Sequence, residues 1–263
     1  MKSFSVRAPR HPLGLPPVYG LSAGQRTLTS RASLGAGRRA WHTEGLRSPE
    51  TMPEQLPLFP LQLVLFPGER LKLHIFEERY KQLIGECLET GAEFGIPTYF
   101  DERVAEYGTT ARVVECFRTY DSGEMDIATE GVRVFHLEEF ERVAPGKLYP
   151  SGMATWVPNE PAPGSEYEVE LTALYRRLHE LLDTGREEPR ASASADLSFR
   201  LGHESGLTLG QKVELLSIPE EARRQRYLLD HLRRAVHLLE GAAETRARVQ
   251  GNGQFHRFPK LDL

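Results

Sequence analysis

LPLFPLQLVLFPGERLKLHIFEERY, Leu56 to Tyr80, is the stretch on which the reading of the fold turns. Its first half holds two short apolar runs, residues 56–59 and 61–66, separated by Pro60 and closed by Pro67-Gly68. Short apolar runs ended by Pro and Gly read as strands that stop in turns. Leu71, Leu73 and Ile75 then alternate with Lys72 and His74, the period of a strand with one buried face. At Phe76 the period changes. Phe76, Tyr80, Leu83, Ile84 and Cys87 recur at helical spacing, with Glu77 and Glu78 where a helix dipole favours acids and Gly91 placed to close the helix in a left-handed cap.

Downstream, strands are expected over residues 94–100, 111–120, 125–129, 132–137 and 148–157. Asp121-Ser122-Gly123 and Glu130-Gly131 supply turn chemistry between neighbours. Several short strands, tight turns and one helix suit a small, partly closed barrel. The segment NEPAPGS, residues 159–165, breaks the pattern, and the period beyond it is helical. Leu171, Leu174, Tyr175, Leu178, Leu181 and Leu182 form one stripe; residues 183–195 read as a polar connector, and 195–201 as a turn of helix. Thr208 and Gln211 fit a capping box, and Ser217-Ile218-Pro219-Glu220 fits a second one opening a long helix. That helix would turn Leu228, Leu232, Ala235, Val236 and Leu239 inward.

The opening stretch resembles the N-terminal substrate-binding domain of Lon proteases, whose pattern is LPLFP, then LFPG, then an IFE-x-RY run. Here these are Leu56 to Pro60, Leu65 to Gly68, Ile75 to Glu77, and Arg79-Tyr80. Phe94-Gly95-Ile96, Tyr107-Gly108-Thr109, Ser122-Gly123 and the run Thr129 to Arg133 are similar to later positions of that family, and 196–239 to the helical part of its stand-alone members. The resemblance implies an α+β fold: a PUA-like small β-barrel with one inserted helix, followed by a C-terminal α-helical subdomain. The expected organisation is an N-terminal extension over 1–51, a barrel domain over 52–158, a helical subdomain over 165–248 and a flexible tail over 249–263. Leu58, Phe59, Leu63, Leu65, Phe66, Phe76 and Tyr80 would fill the barrel core, and Arg79 would pair with Glu77, Glu78 or a strand-end carbonyl.

Composition narrows the function classes. Residues 1–51 carry eight Lys and Arg against two acids, so the body of the chain is more acidic than its net charge of -4. An acidic body is a poor partner for phosphates. The Arg- and Ser-rich first 51 residues fit a wrongly initiated start with Met52 as the true first residue, an organellar transit peptide, or a disordered tail. Cytoplasmic localisation is expected unless that stretch is a genuine transit peptide. Cys87 and Cys116 read as buried free thiols of a reducing compartment. No stretch approaches the roughly 20 apolar residues of a membrane span.

Catalytic chemistry is not expected. The sequence holds no G-x-x-x-x-G-K-[ST] phosphate cradle, and no lysine stands in the context of a Lon-type Ser–Lys peptidase. His203-Glu204 is followed by Ser205-Gly206, so no zinc helix forms there, and His231 and His237 are six apart. Asp121, Glu124 and Asp126 read as solvated turn carboxylates ahead of a cation site. Arg223, Arg224, Arg226, Arg233 and Arg234, interleaved with acids, read as a solvated helix face. No catalytic, cofactor or metal residue is assigned. The resemblance implies recognition of unfolded or flexible polypeptide clients in protein quality control, with a separate protease as a further partner. The peptide-binding rim is placed at Tyr99, Phe100, Arg118 and Tyr120, the strand ends beside turns. A PUA-like RNA-binding module is the alternative.

Overall fold

The computed structural model describes residues 6–7, 52–183 and 196–252. The expected N-terminal extension and C-terminal tail lie largely outside them. Seven strands and five helices follow in chain order among the described residues: β1 (Val6–Arg7), β2 (Glu54–Pro57), β3 (Arg70–Ile75), α1 (Glu78–Thr90), β4 (Phe94–Phe100), β5 (Arg103–Thr119), β6 (Met125–Glu141), β7 (Ser151–Trp156), α2 (Glu168–Leu181), α3 (Leu197–Gly202), α4 (Leu209–Leu216) and α5 (Glu221–Asn252). This is an α+β barrel with an inserted helix and helices after it, as the opening stretch implied.

The long β6 organises the sheet. On one side it pairs antiparallel with β5; on the other it takes β3 along residues 125–130 and β7 along 135–141. β7 pairs with β2, and the chain just after β2 bridges to β4 through Leu58–Gly95 and Leu61–Thr98. The circuit β6-β5-β4-β2-β7 is thereby closed. β3, the start of β6 and the end of β5 form a sheet extension outside it. α1 covers one face of that extension, burying Tyr80, Leu83, Ile84 and Cys87 against Leu73, Ile75, Met125 and Ile127. It stops where expected, with Gly91 at φ 72 and its N–H on the Cys87 carbonyl.

Residues 61–66 are not a strand. Only Leu61 makes strand-like backbone bonds, donating to Pro97 O at 3.2 Å and accepting from Tyr99 N–H at 2.7 Å, while Leu63 O accepts from the Thr98 hydroxyl at 2.9 Å and Phe66 N–H donates to the Glu69 carboxylate. The run is continuously apolar because it threads between two cores. Leu61 and Leu65 point into the barrel, whereas Val64 and Phe66 join Leu171, Tyr175, Phe199, Leu228 and Leu232 in the helical core. Phe66 stacks on Phe199 with ring centroids 5.4 Å apart.

Glu130-Gly131 is not a turn either, since β6 runs straight through it. The glycine serves a close approach. Gly131 exchanges backbone hydrogen bonds with the turn at residues 66–69, and a Cβ there would collide with the Phe66 carbonyl oxygen. The first capping box forms as read, Thr208 with Gln211. The second does not: the Ser217 hydroxyl donates back to Glu214 O at 2.7 Å, in the last turn of α4, and α5 begins at Glu221.

Arg224 departs furthest from its expected solvated place. Its side chain is 1% exposed and ion-paired at 2.8 Å with Glu221, also 1% exposed. The guanidinium further donates to Ser198 Oγ, to the carbonyls of Ile218 and Pro219, and to Asn159 Oδ1, and it lies over the Phe199 ring. Every part of that network sits where the 159–165 break, α3 and α5 meet. The other arginines stay near water: Arg223 pairs with Glu220, and Arg233 with Glu170.

Candidate functional site

β5 is 17 residues long, but β4 pairs with it only along residues 103–111. From Arg112 to Thr119 it is bonded to β6 on one side and, among the described residues, meets no strand on the other. Such an edge presents unpaired N–H and C=O groups to any extended chain. The register against β6 slips twice along it, leaving one extra β5 residue between Val113 and Glu115 and another between Cys116 and Arg118. Those extra residues are Val114, 39% exposed, and Phe117, 47% exposed. A bulge re-aims the side chain it carries. Here both bulges carry large apolar side chains in contact with water.

Charge gathers around the same strand. Lys72 Nζ lies 5.1 Å from the centre of the Phe117 ring, and the Arg118 guanidinium carbon 4.3 Å from that of Tyr120. Among the described residues neither cation forms an ion pair with a carboxylate. At the hairpin tip, Asp126 is bound by His74 Nδ1 at 2.7 Å and by the Tyr120 hydroxyl at 2.8 Å. The hydrogen bond from His74, then that from Tyr120, holds the Asp126 carboxyl below its ordinary range. The bond to Asp126 in turn raises the Tyr120 phenol. Glu124 lies 3.7 Å from His74 Nε2. Asp126 is thus committed to the hairpin, and among the described residues no three His, Cys, Asp or Glu side chains converge as a metal site.

The four residues expected at the rim divide into two pairs. Arg118 and Tyr120 stand together at the far end of β5, beside the open edge. Tyr99 and Phe100 lie at the near end, in the β4–β5 hairpin, where Phe100 approaches Gly210 of α4. Val114, Phe117 and Lys72 escaped the sequence reading, because a bulge has no signature in a run of alternating residues. Cys116, expected buried, is exposed on this edge; Cys87 is buried.

A cavity of about 440 Å³ lies elsewhere, between the 66–69 turn and α2 and α3, with Phe66, Phe199, Tyr175, Glu69, His203 and Glu204 on its walls. The Glu69 carboxylate there accepts from Phe66 N–H at 3.0 Å and faces His203 Nδ1 at 2.8 Å. The other acid, Glu204, accepts from the Tyr175 hydroxyl at 3.3 Å.

Known proteins are similar to this chain. A crystal structure of a Lon N-terminal domain protein from Xanthomonas campestris superposes with a TM-score of 0.52 at 28% identity, covering 67% of this chain and 98% of that one. The N-terminal domain of Mycobacterium avium complex Lon protease gives 0.47 at 17% identity, over 68% and 98%. Protein cereblon of Xenopus tropicalis is 28% identical over 116 residues, 43% of this chain and 25% of cereblon, so the match spans a quarter of that relative's length. The profile of the ATP-dependent protease La (LON) substrate-binding domain matches residues 55–238, and the chain belongs to that family.

Proposed function

We propose that this protein is a polypeptide-binding module that takes extended segments of unfolded clients by strand addition along residues 112–119 of β5, without catalysis of its own. The observation that carries this reading is the open edge with Val114 and Phe117 exposed at its two bulges. Main-chain hydrogen bonds to such an edge give affinity that depends little on sequence, while side chains beside it bias the choice. Membership of a substrate-binding family supports the same reading. In this role the protein delivers clients to a separate protease, or shields them from aggregation, in protein quality control.

Fluorescence anisotropy of the full chain tests the proposal, using a reduced and alkylated, permanently unfolded protein as labelled ligand beside a folded protein and an RNA. Saturable binding of the unfolded ligand alone is expected, weakened by Phe117→Ala. Absence of binding, or preference for RNA, would overturn it.

A further inference from the structure

The open edge has a second wall, built by α1. Lys81 in the first turns of α1 donates to the Ser122 carbonyl at the β5–β6 hairpin tip, and the helix ends at Gly91, just before Phe94 pairs with Ala111. α1 therefore runs alongside residues 111–122 of β5, in the opposite direction. Its 13 residues turn three different faces to their surroundings. Tyr80, Leu83, Ile84 and Cys87 face the core; Gln82 and Glu86 hold the β6–β7 loop at Leu148, Lys147 and Tyr149. Lys81, Gly85 and Leu88, spaced four and three apart, share the remaining flank, the one turned toward the β5 edge. On that flank Leu88 is 44% exposed, and a Cβ built on Gly85 meets nothing within 4 Å.

We propose that the channel between this flank of α1 and the β5 edge is the client-binding groove, and that Gly85 is the residue that sets its selectivity. The inference rests on the strand-addition reading above. A strand added to β5 turns alternate side chains to opposite faces. One set falls beside Val114 and Phe117, the other against Leu88 and the space left open at Gly85. Each wall offers exposed apolar side chains, Leu88 on α1 and Val114 and Phe117 on β5. Lys72 and Arg118, each lying over an aromatic ring and Arg118 also opposite Asp126, supply positive charge beside it. The occupant that matches is an extended segment with large apolar side chains at alternate positions, flanked by acidic residues. Gly85 has a mid-helix place where glycine costs helix stability. The open space in the groove gives that glycine a use.

The test is an anisotropy titration of the full chain with a labelled decapeptide of alternating valine and threonine flanked by aspartates. Comparison peptides carry serine for valine, lysine for aspartate, or N-methyl groups on alternate backbone amides. Gly85→Phe, which fills the channel, is expected to weaken the valine peptide by about tenfold or more. Gly241→Phe, the same change at an exposed glycine of α5 where an added Cβ also meets nothing within 4 Å, is expected to leave it unchanged, and thermal melts report that both variants fold. The N-methylated and serine peptides should fail to bind, and the lysine-flanked peptide should bind more weakly. If N-methylation abolishes binding while Gly85→Phe changes nothing, the groove inference falls and strand addition stands. If N-methylation changes nothing, strand addition falls and the groove with it. A lysine-flanked peptide that binds as tightly as the aspartate-flanked one overturns the assigned client charge.

Discussion

Arg224 and Glu221 face each other one turn apart on α5, guanidinium to carboxylate at 2.8 Å, with both side chains 1% exposed. Removing one member of a buried pair leaves the other charged and unpaired. That typically costs about 3–5 kcal/mol, whereas replacing both by apolar residues of similar volume is often close to neutral. Arg224→Ala should therefore lower the urea midpoint sharply. Arg224→Met combined with Glu221→Leu should recover much of the loss. Since Asn159 and Ser198 also bond to this pair, the single variant should loosen the joint between the 159–165 break and α3 before the barrel, read by hydrogen exchange.

The two thiols should separate cleanly. Cys87 is buried on the core face of α1, and burial, followed by the charge of Glu86, pushes its pKa up to about 11. Cys116 is exposed on the β5 edge. A disulfide reagent at pH 8 should modify Cys116 in the native protein and Cys87 only once the chain unfolds. Because thiolate is the reacting species, rapid native modification of both would contradict the packing of α1. A bound client should also slow the reaction of Cys116.

Gly91 closes α1 at φ 72, a conformation that costs a residue with a Cβ about 1 kcal/mol. Gly91→Ala should lower stability by about that amount. Gly131→Ala should cost more, because its added carbon meets the Phe66 carbonyl oxygen and neither backbone can give way. Denaturation midpoints of the two variants give the order directly.

Glu86 ties α1 to the β6–β7 loop, accepting from Lys147 Nζ at 2.8 Å and from the Tyr149 hydroxyl at 2.6 Å. The bond from Lys147, then that from Tyr149, lowers its pKa. A carboxylate depressed in the folded state stabilises the protein above its unfolded pKa, and that contribution is lost as pH falls through the folded value. Melting temperature should accordingly drop as pH is lowered below about 4.3, the ordinary glutamate value. In Glu86→Gln the same interval should be flatter, with the difference between the two proteins largest at neutral pH.

Much of this architecture could be read in one dimension because its causes are local. α1 announces itself through the spacing of Tyr80, Leu83, Ile84 and Cys87, and Thr208 and Gln211 cap α4 within four residues. The failures share a cause of the opposite kind. Arg224 is buried by partners as far away as Asn159, 65 residues distant. Gly131 answers to the carbonyl of Phe66, and residues 61–66 are apolar because two cores claim them. At the candidate site, Arg118 and Tyr120 were found as residues flanking a turn. Val114 and Phe117 were not, because their exposure comes from register slips between β5 and β6 that leave no trace in β5 itself.

Phe66 lies in the barrel by sequence and in the helical core by position, stacked on Phe199. A fragment ending near residue 158 would leave that ring in water, and one beginning near 165 would lack it, at about 1.5–3 kcal/mol for a side chain of this size. The NEPAPGS break is therefore a poor place to cut the gene. A chimaera that takes its barrel from one relative and its helices from another would have to match residue 66 to its new neighbours. Because the two rings stack, a change of size at 66 should call for a matching change at 199, and the two halves should be inherited and degraded together.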